Sequence, residues 1–172
     1  MRKLFLNILL VLLSAASFAA QENAIAYNDK IISEQTKIGA AIMSFSANPN
    51  EFSLSSVRTQ VDKSLEILKG MKPYEGNKTF LSSAKALFKF YAGVSNKEYR
   101  KILILLENRG KIEPEKLTQS INLLIDAIAK KEDPLDKAFQ AQQAAFAAKY
   151  GFQLQKIAPV QQAPKHSDAD NE

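Results

Sequence analysis

Apolar residues recur along this chain at spacings of three and four, and no segment alternates strictly, so the pattern predicts helices throughout. A first stripe, Ala24, Asn28, Ile31, Gln35, Ile38, Ile42 and Phe45, places a helix over about residues 23–46, and Asn48-Pro49-Asn50 stops it. A second stripe, Leu54, Val57, Val61, Leu65 and Leu68, follows Ser53 or Ser55, either of which suits a helix N-cap, and closes near Gly70. Pro73 and Gly76 punctuate the loop Met71–Asn77. A third helix begins around Lys78 with Leu81, Ala84, Leu87, Phe88 and Tyr91. Gly93 and Ser95 weaken its centre, each by up to about 1 kcal/mol relative to alanine. The register continues through Tyr99, Ile102, Leu103 and Leu106, which predicts one long helix with a soft centre, two helices being the alternative, ended by a glycine stop at Asn108-Arg109-Gly110.

The fourth helix admits Pro114 in its first turn and carries Leu117, Ile121, Leu124, Ile128, Leu135, Phe139, Gln142, Phe146 and Tyr150. Pro134 removes one backbone hydrogen bond and predicts a kink or break there, and Gly151 ends the helix. Four amphipathic helices on short loops have one economical packing. The expectation is an all-α fold, an antiparallel up-down four-helix bundle over residues 21–152 with a kinked fourth helix. Residues 153–172 turn to Pro, Gln, Ala and terminal acids, with little to bury, and read as a disordered tail.

The N-terminus changes the picture. Met1-Arg-Lys is followed by Leu4 to Leu13, interrupted only by Asn7, and then by Ser14-Ala-Ala-Ser-Phe-Ala-Ala20. A positive end, an apolar run of about ten residues and a small-residue exit make a signal peptide over 1–19, cleaved after Ala19 or, second, after Ala20. A run of that length is too short for a bilayer span, which needs about 20 apolar residues, so no transmembrane anchor is expected after cleavage. Cysteine is absent, which excludes a lipid anchor at the exit along with thiol catalysis and cysteine metal sites. The expected location is exported: periplasmic, cell surface or secreted. The formal charge of +5 falls to about +3 when Arg2 and Lys3 leave, and the remaining cations are interleaved with acids.

Candidate chemistry is sparse. The single histidine, His166, lies in the tail, where a general base or a metal ligand would not be held in place. Ser82-Ser-Ala-Lys85 has the Ser-x-x-Lys spacing of penicillin-recognising enzymes but lacks their Ser-Asp-Asn and Lys-Thr-Gly partners. Asn77-Lys-Thr79 has the glycosylation spacing. Lys97, Arg100, Lys101 and Arg109, with Tyr99 among them, form a basic helix face without a companion motif, so nucleic acid is not an expected partner. Catalytic, cofactor and metal residues are therefore expected to be none.

What stands out is polar residues in apolar stripes. Asn28 and Gln35 lie seven apart, on one face of the first helix, and Tyr91 and Tyr99 carry hydroxyls that need partners if buried. Core-facing amides can fix helix register at some cost in stability. The sharper expectation is a polar pocket inside the bundle, formed by Asn28, Gln35 and one or both tyrosines.

The order Tyr27-Asn28-Asp29, Glu34-Gln35, Phe90-Tyr91, Glu98-Tyr99 and Phe146-Ala-Ala-Lys-Tyr150 resembles a group of uncharacterised exported helical-bundle proteins of Gram-negative bacteria. Some of that group are described as surface proteins. The resemblance implies an envelope location and a bundle fold, and transfers no activity. Three functions are carried forward. The first is a non-enzymatic interaction module whose partner is an envelope protein. The second is a small-ligand carrier using the bundle interior. The third is a carboxylate-based enzyme using Asp29 and Glu34 with a lysine.

Overall fold

Among the described residues the apolar stripes lie on five α-helices, α1 (Arg2–Ala47), α2 (Glu51–Gly70), α3 (Thr79–Asn96), α4 (Glu98–Glu107) and α5 (Pro114–Tyr150), with a 3-10 turn, Arg109–Lys111, between the last two. This computed structural model describes the backbone of residues 2–154 and the side chains of 21–154. Of the disordered tail expected over 153–172, all beyond 154 falls outside the described residues, as do the side chains of the expected signal segment. Among the described residues the fold is all-helical, and no helix is long and apolar enough to cross a membrane.

The helices form a bundle. Helix α1 packs on α2, α2 on α3, and α3 on α5, with α5 returning to α1. Ile31 and Ile38 of α1, Leu54, Val57, Val61 and Leu68 of α2, Phe80, Leu87 and Phe88 of α3, and Phe139 and Phe146 of α5 are buried together in one core. Burying each such side chain contributes about 1.5–3 kcal/mol. Four buried polar side chains, Asn28, Glu34, Ser53 and Ser64, lie on the same inward faces of α1 and α2.

Several local expectations are corrected. The first helix does not begin near Asn23. It runs from Arg2, and no glycine or proline lies between there and Asn23 to stop it. The cap of α2 is Asn50, not Ser53 or Ser55. The Asn50 side chain accepts from the Ser53 amide at 3.0 Å, and the Ser53 hydroxyl returns the contact to the Asn50 amide at 3.2 Å, a capping box.

The long third helix is two helices, α3 and α4, separated at Lys97. Ser95 and Asn96 both turn their side chains back to the Ala92 carbonyl, at 3.0 and 2.9 Å, competing with the helical ladder. The Ser95 carbonyl is taken by the Arg58 guanidinium of α2 at 3.2 and 3.3 Å. A donor from another helix thus stabilises the break that Gly93 and Ser95 only soften. Gly110 is no left-handed stop either, since only Gly76 and Gly151 among the glycines have positive φ. The chain leaves α4 through the 3-10 turn, with the Lys111 amide donating to the Asn108 carbonyl.

Helix α5 is unbroken through Pro134. Pro134 and Lys130 are both exposed, so water can hydrate the carbonyl that the proline leaves without its partner. Ile128 and Phe139, buried on either side, hold the helix in place across it. Pro114 at the start and left-handed Gly151 at the end stand as expected. The α2–α3 loop closes on a Tyr74–Asn77 turn whose central residues, Glu75 and Gly76, have φ of 46° and 77°. Two positive φ values make it a type I′ turn, which Gly76 suits and Glu75 does not.

Candidate binding cleft

The first half of α5 leans on α4 and the end of α1, and the three do not close completely. Between them lies a cleft of about 400 Å³ lined by Phe45, Pro49, Tyr99, Ile102, Leu106, Ile121, Ile125, Ile128 and Glu132. Spacings of three and four put Ile121, Ile125, Ile128 and Glu132 on one face of α5. Ile125 is half exposed, whereas Ile128 is buried, so the wall grades from water to core.

The floor is polar. The Tyr91 hydroxyl donates to Glu132 Oε1 at 2.6 Å, and no ion pair of Glu132 occurs among the described residues. Neighbouring Lys131 instead pairs with Glu98 of α4 at 3.3 Å. Burial, the hydrogen bond to Glu132 and its charge push the Tyr91 phenol far above its ordinary value. Burial and the Glu132 charge push Tyr99 up to about 12. Both tyrosines are therefore neutral donors at physiological pH. The Tyr99 ring packs on Phe45 at 5.1 Å between centroids. The rim is tied to α2 by Glu51, which pairs with Arg100 of α4 and with Arg58 at 3.6 Å. Arg100, expected on a basic face, is thus engaged within the fold, and Tyr99 turns inward. An apolar trough ending in a carboxylate can take apolar side chains together with one cationic or hydrogen-bond-donating group.

The four residues singled out from the stripes are not one pocket. Asn28 is buried on α1, donates to Asp29 at 3.0 Å and accepts from Gln143 of α5 at 2.9 Å. Gln35 is half-buried, with no hydrogen-bond partner among the described residues. Tyr91 and Tyr99 lie around Glu132, eleven residues before Gln143, or about 16 Å along α5. The amide pair and the tyrosine pair thus occupy different levels of the bundle. A second cavity of about 500 Å³ adjoins the amides, lined by Ile25, Asn28, Asp29, Ile32, Gln143 and Phe152 with the two residues after it.

The structure adds polar groups that the stripes did not single out. Glu34, 4% exposed, accepts from Ser64 of α2 at 2.8 Å and from Lys37 at 2.5 Å. Burial raises its carboxyl, but the Lys37 and Ser64 hydrogen bonds and the charges of Lys37 and Lys30 outweigh that and hold it below its ordinary value. A signal existed, because Ile31, Glu34 and Ile38 keep the three-four spacing, as do Ile128 and Glu132. Asp29 is exposed while Glu34 faces α2, so the two carboxylates do not share a cleft. Ser82 is exposed on α3, and Asn77 Oδ1 accepts from the Thr79 amide and hydroxyl at 3.1 and 2.9 Å. His166 lies outside the described residues, among which no three His, Cys, Asp or Glu side chains gather as a metal set. Compared with known proteins, the chain matches no family model, no curated protein and no solved structure.

Proposed function

We propose that this protein is an exported up-down helical bundle of a bacterial envelope, and that it acts as a non-enzymatic binding module through the cleft between α4, α5 and the end of α1. The observation that carries this reading is the trough itself, with walls of Ile121, Ile125, Ile128 and Leu106 and, at one end, Glu132 accepting from Tyr91. Its partner is a protein segment presenting apolar side chains at helical spacing with one lysine or arginine among them, the cation meeting Glu132. The export part of the reading rests on Met1-Arg-Lys, the Leu4–Leu13 run and the Ala19 exit, and on the resemblance to exported bundle proteins.

A second reading, a small-ligand carrier, is favoured by the cavity beside Asn28 and Gln143, where amides meet apolar walls. Affinity capture from an envelope extract separates the two, with the purified protein and its Ile125→Asp variant as baits and native mass spectrometry of each. Proteins held by the wild type and lost by Ile125→Asp support the cleft. Identical captures by both baits sink it, and a small molecule that stays bound to both would move the function to the Asn28 cavity.

A further inference from the structure

The α4–α5 hairpin is apolar on the side away from the cleft as well. At about 100° per residue, Leu123 lies about 160° round α5 from Ile125, and Ile104 is likewise turned away from Ile102 on α4. Leu123 is 63% exposed and Ile104 44%. With Leu105 and Leu124 they line one groove running between the two helices, built from α4 and α5 residues alone. An apolar helix face is normally covered by another element. Here the cleft side faces the end of α1, and no other described element lines the outer groove.

The charges at its edges indicate what covers it. Lys101 lines the α4 edge of the groove, and on α5 Asp126 stands beside Leu123, one turn on and just outside the groove's own lining. Neither is in an ion pair among the described residues, although Arg100, Lys116 and Lys131 around them all are. A patch with one basic and one acidic edge is self-complementary. A two-fold contact lays each α4 edge on the other copy's α5 edge, so that Lys101 meets the partner's Asp126 twice while the leucines interleave. An unrelated acidic or basic surface would satisfy one edge and repel the other, and an anionic lipid surface would repel Asp126.

We propose that two copies of this chain associate through the outer face of the α4–α5 hairpin, with Leu123 and Ile104 at the centre and reciprocal Lys101–Asp126 pairs at the edges. This contact leaves the cleft open and does not depend on the cleft being a binding site.

The test is sedimentation velocity of the purified protein over a concentration series, with the variants Leu123→Glu, Lys101→Glu and Asp126→Lys. All three positions are exposed, and thermal melts check that each variant keeps its fold. The wild type is expected to move from monomer to dimer as concentration rises. Leu123→Glu should abolish the dimer, and each charge reversal should weaken it about tenfold or more, because like charges then meet twice. Mixing Lys101→Glu with Asp126→Lys restores both pairs in a heterodimer and should recover wild-type association. A wild type that stays monomeric at its highest soluble concentration overturns the proposal. So does a dimer that survives Leu123→Glu, or one weakened by both reversals that the mixture does not rescue.

Discussion

At the scale of single residues, buried polar groups separate what packs this bundle from what aligns it. Glu34 sits where a leucine would pack, and both of its oxygens are occupied, one by Ser64 of α2 and one by Lys37 of its own helix. The pair fixes α1 against α2, and it makes stability depend on acid. A carboxyl held below its ordinary value near 4.5 contributes stability that is present above that value and lost as pH falls through the folded pKa. Ser64 is fully buried, so Ser64→Ala removes a hydrogen bond to a charged group, with a cost of about 1.5–3 kcal/mol near neutral pH. The variant also has less to lose in acid, and its stability curve between about pH 7 and pH 3 should be flatter. Urea unfolding across that range checks both statements; curves that run parallel would show that the Ser64 contact does not set the Glu34 titration.

At the scale of elements, caps and breaks follow from whether a residue's conformation suits its position. Gly39 lies mid-helix in α1, exposed, and a methyl group there would meet nothing within 4 Å. Gly39→Ala should stabilise the protein by about 0.5–1 kcal/mol, because glycine loses more backbone freedom on folding than alanine. Gly151 is also uncrowded, but its φ of 74° is the left-handed stop of α5, and its amide donates to the Ala147 carbonyl. Gly151→Ala should cost about 1 kcal/mol or more. Thermal melts of the two variants should shift in opposite directions, and shifts of the same sign would refute the conformational argument. The same logic explains why α3 and α4 part at Lys97. Gly93, Ser95 and Asn96 lower the cost of a break, and Arg58 supplies the donor that makes it stable.

At the scale of the whole molecule, the two ends of α5 do different work. Around Phe146 an aromatic cluster joins Tyr27 of α1, Tyr74 of the α2–α3 loop, Phe80 of α3, and Tyr150 and Phe152, with centroids 4.7–6.1 Å apart. Ile125, about 31 Å along the same helix, lies half exposed in the cleft. Phe146→Ala should therefore cost about 3–5 kcal/mol, and Ile125→Ala about 0.5 kcal/mol or less. Equilibrium unfolding of both reads the contrast, and similar losses would mean that the hairpin end is packed as tightly as the aromatic end. A bundle anchored at one end can leave apolar surface uncovered at the other, which is where the cleft and the outer groove both lie.

The sequence by itself determined the helical class and the ends that depend on neighbours in the chain: the stop at Pro49, the start at Pro114 and the left-handed exit at Gly151. It also showed that polar residues interrupt the inward stripes, because periodicity and turn chemistry are local. Only the tertiary structure decided how those residues are used. Asn28 finds Gln143 across 115 positions, and Tyr91 finds Glu132 across 41, at separate levels of the bundle. Arg58 divides the third helix from 37 residues away, while packing on both sides carries the fourth through Pro134. In each case a hydrogen bond or buried contact from a residue far along the chain meets the local preference, and spacing along the chain does not record which partner arrives.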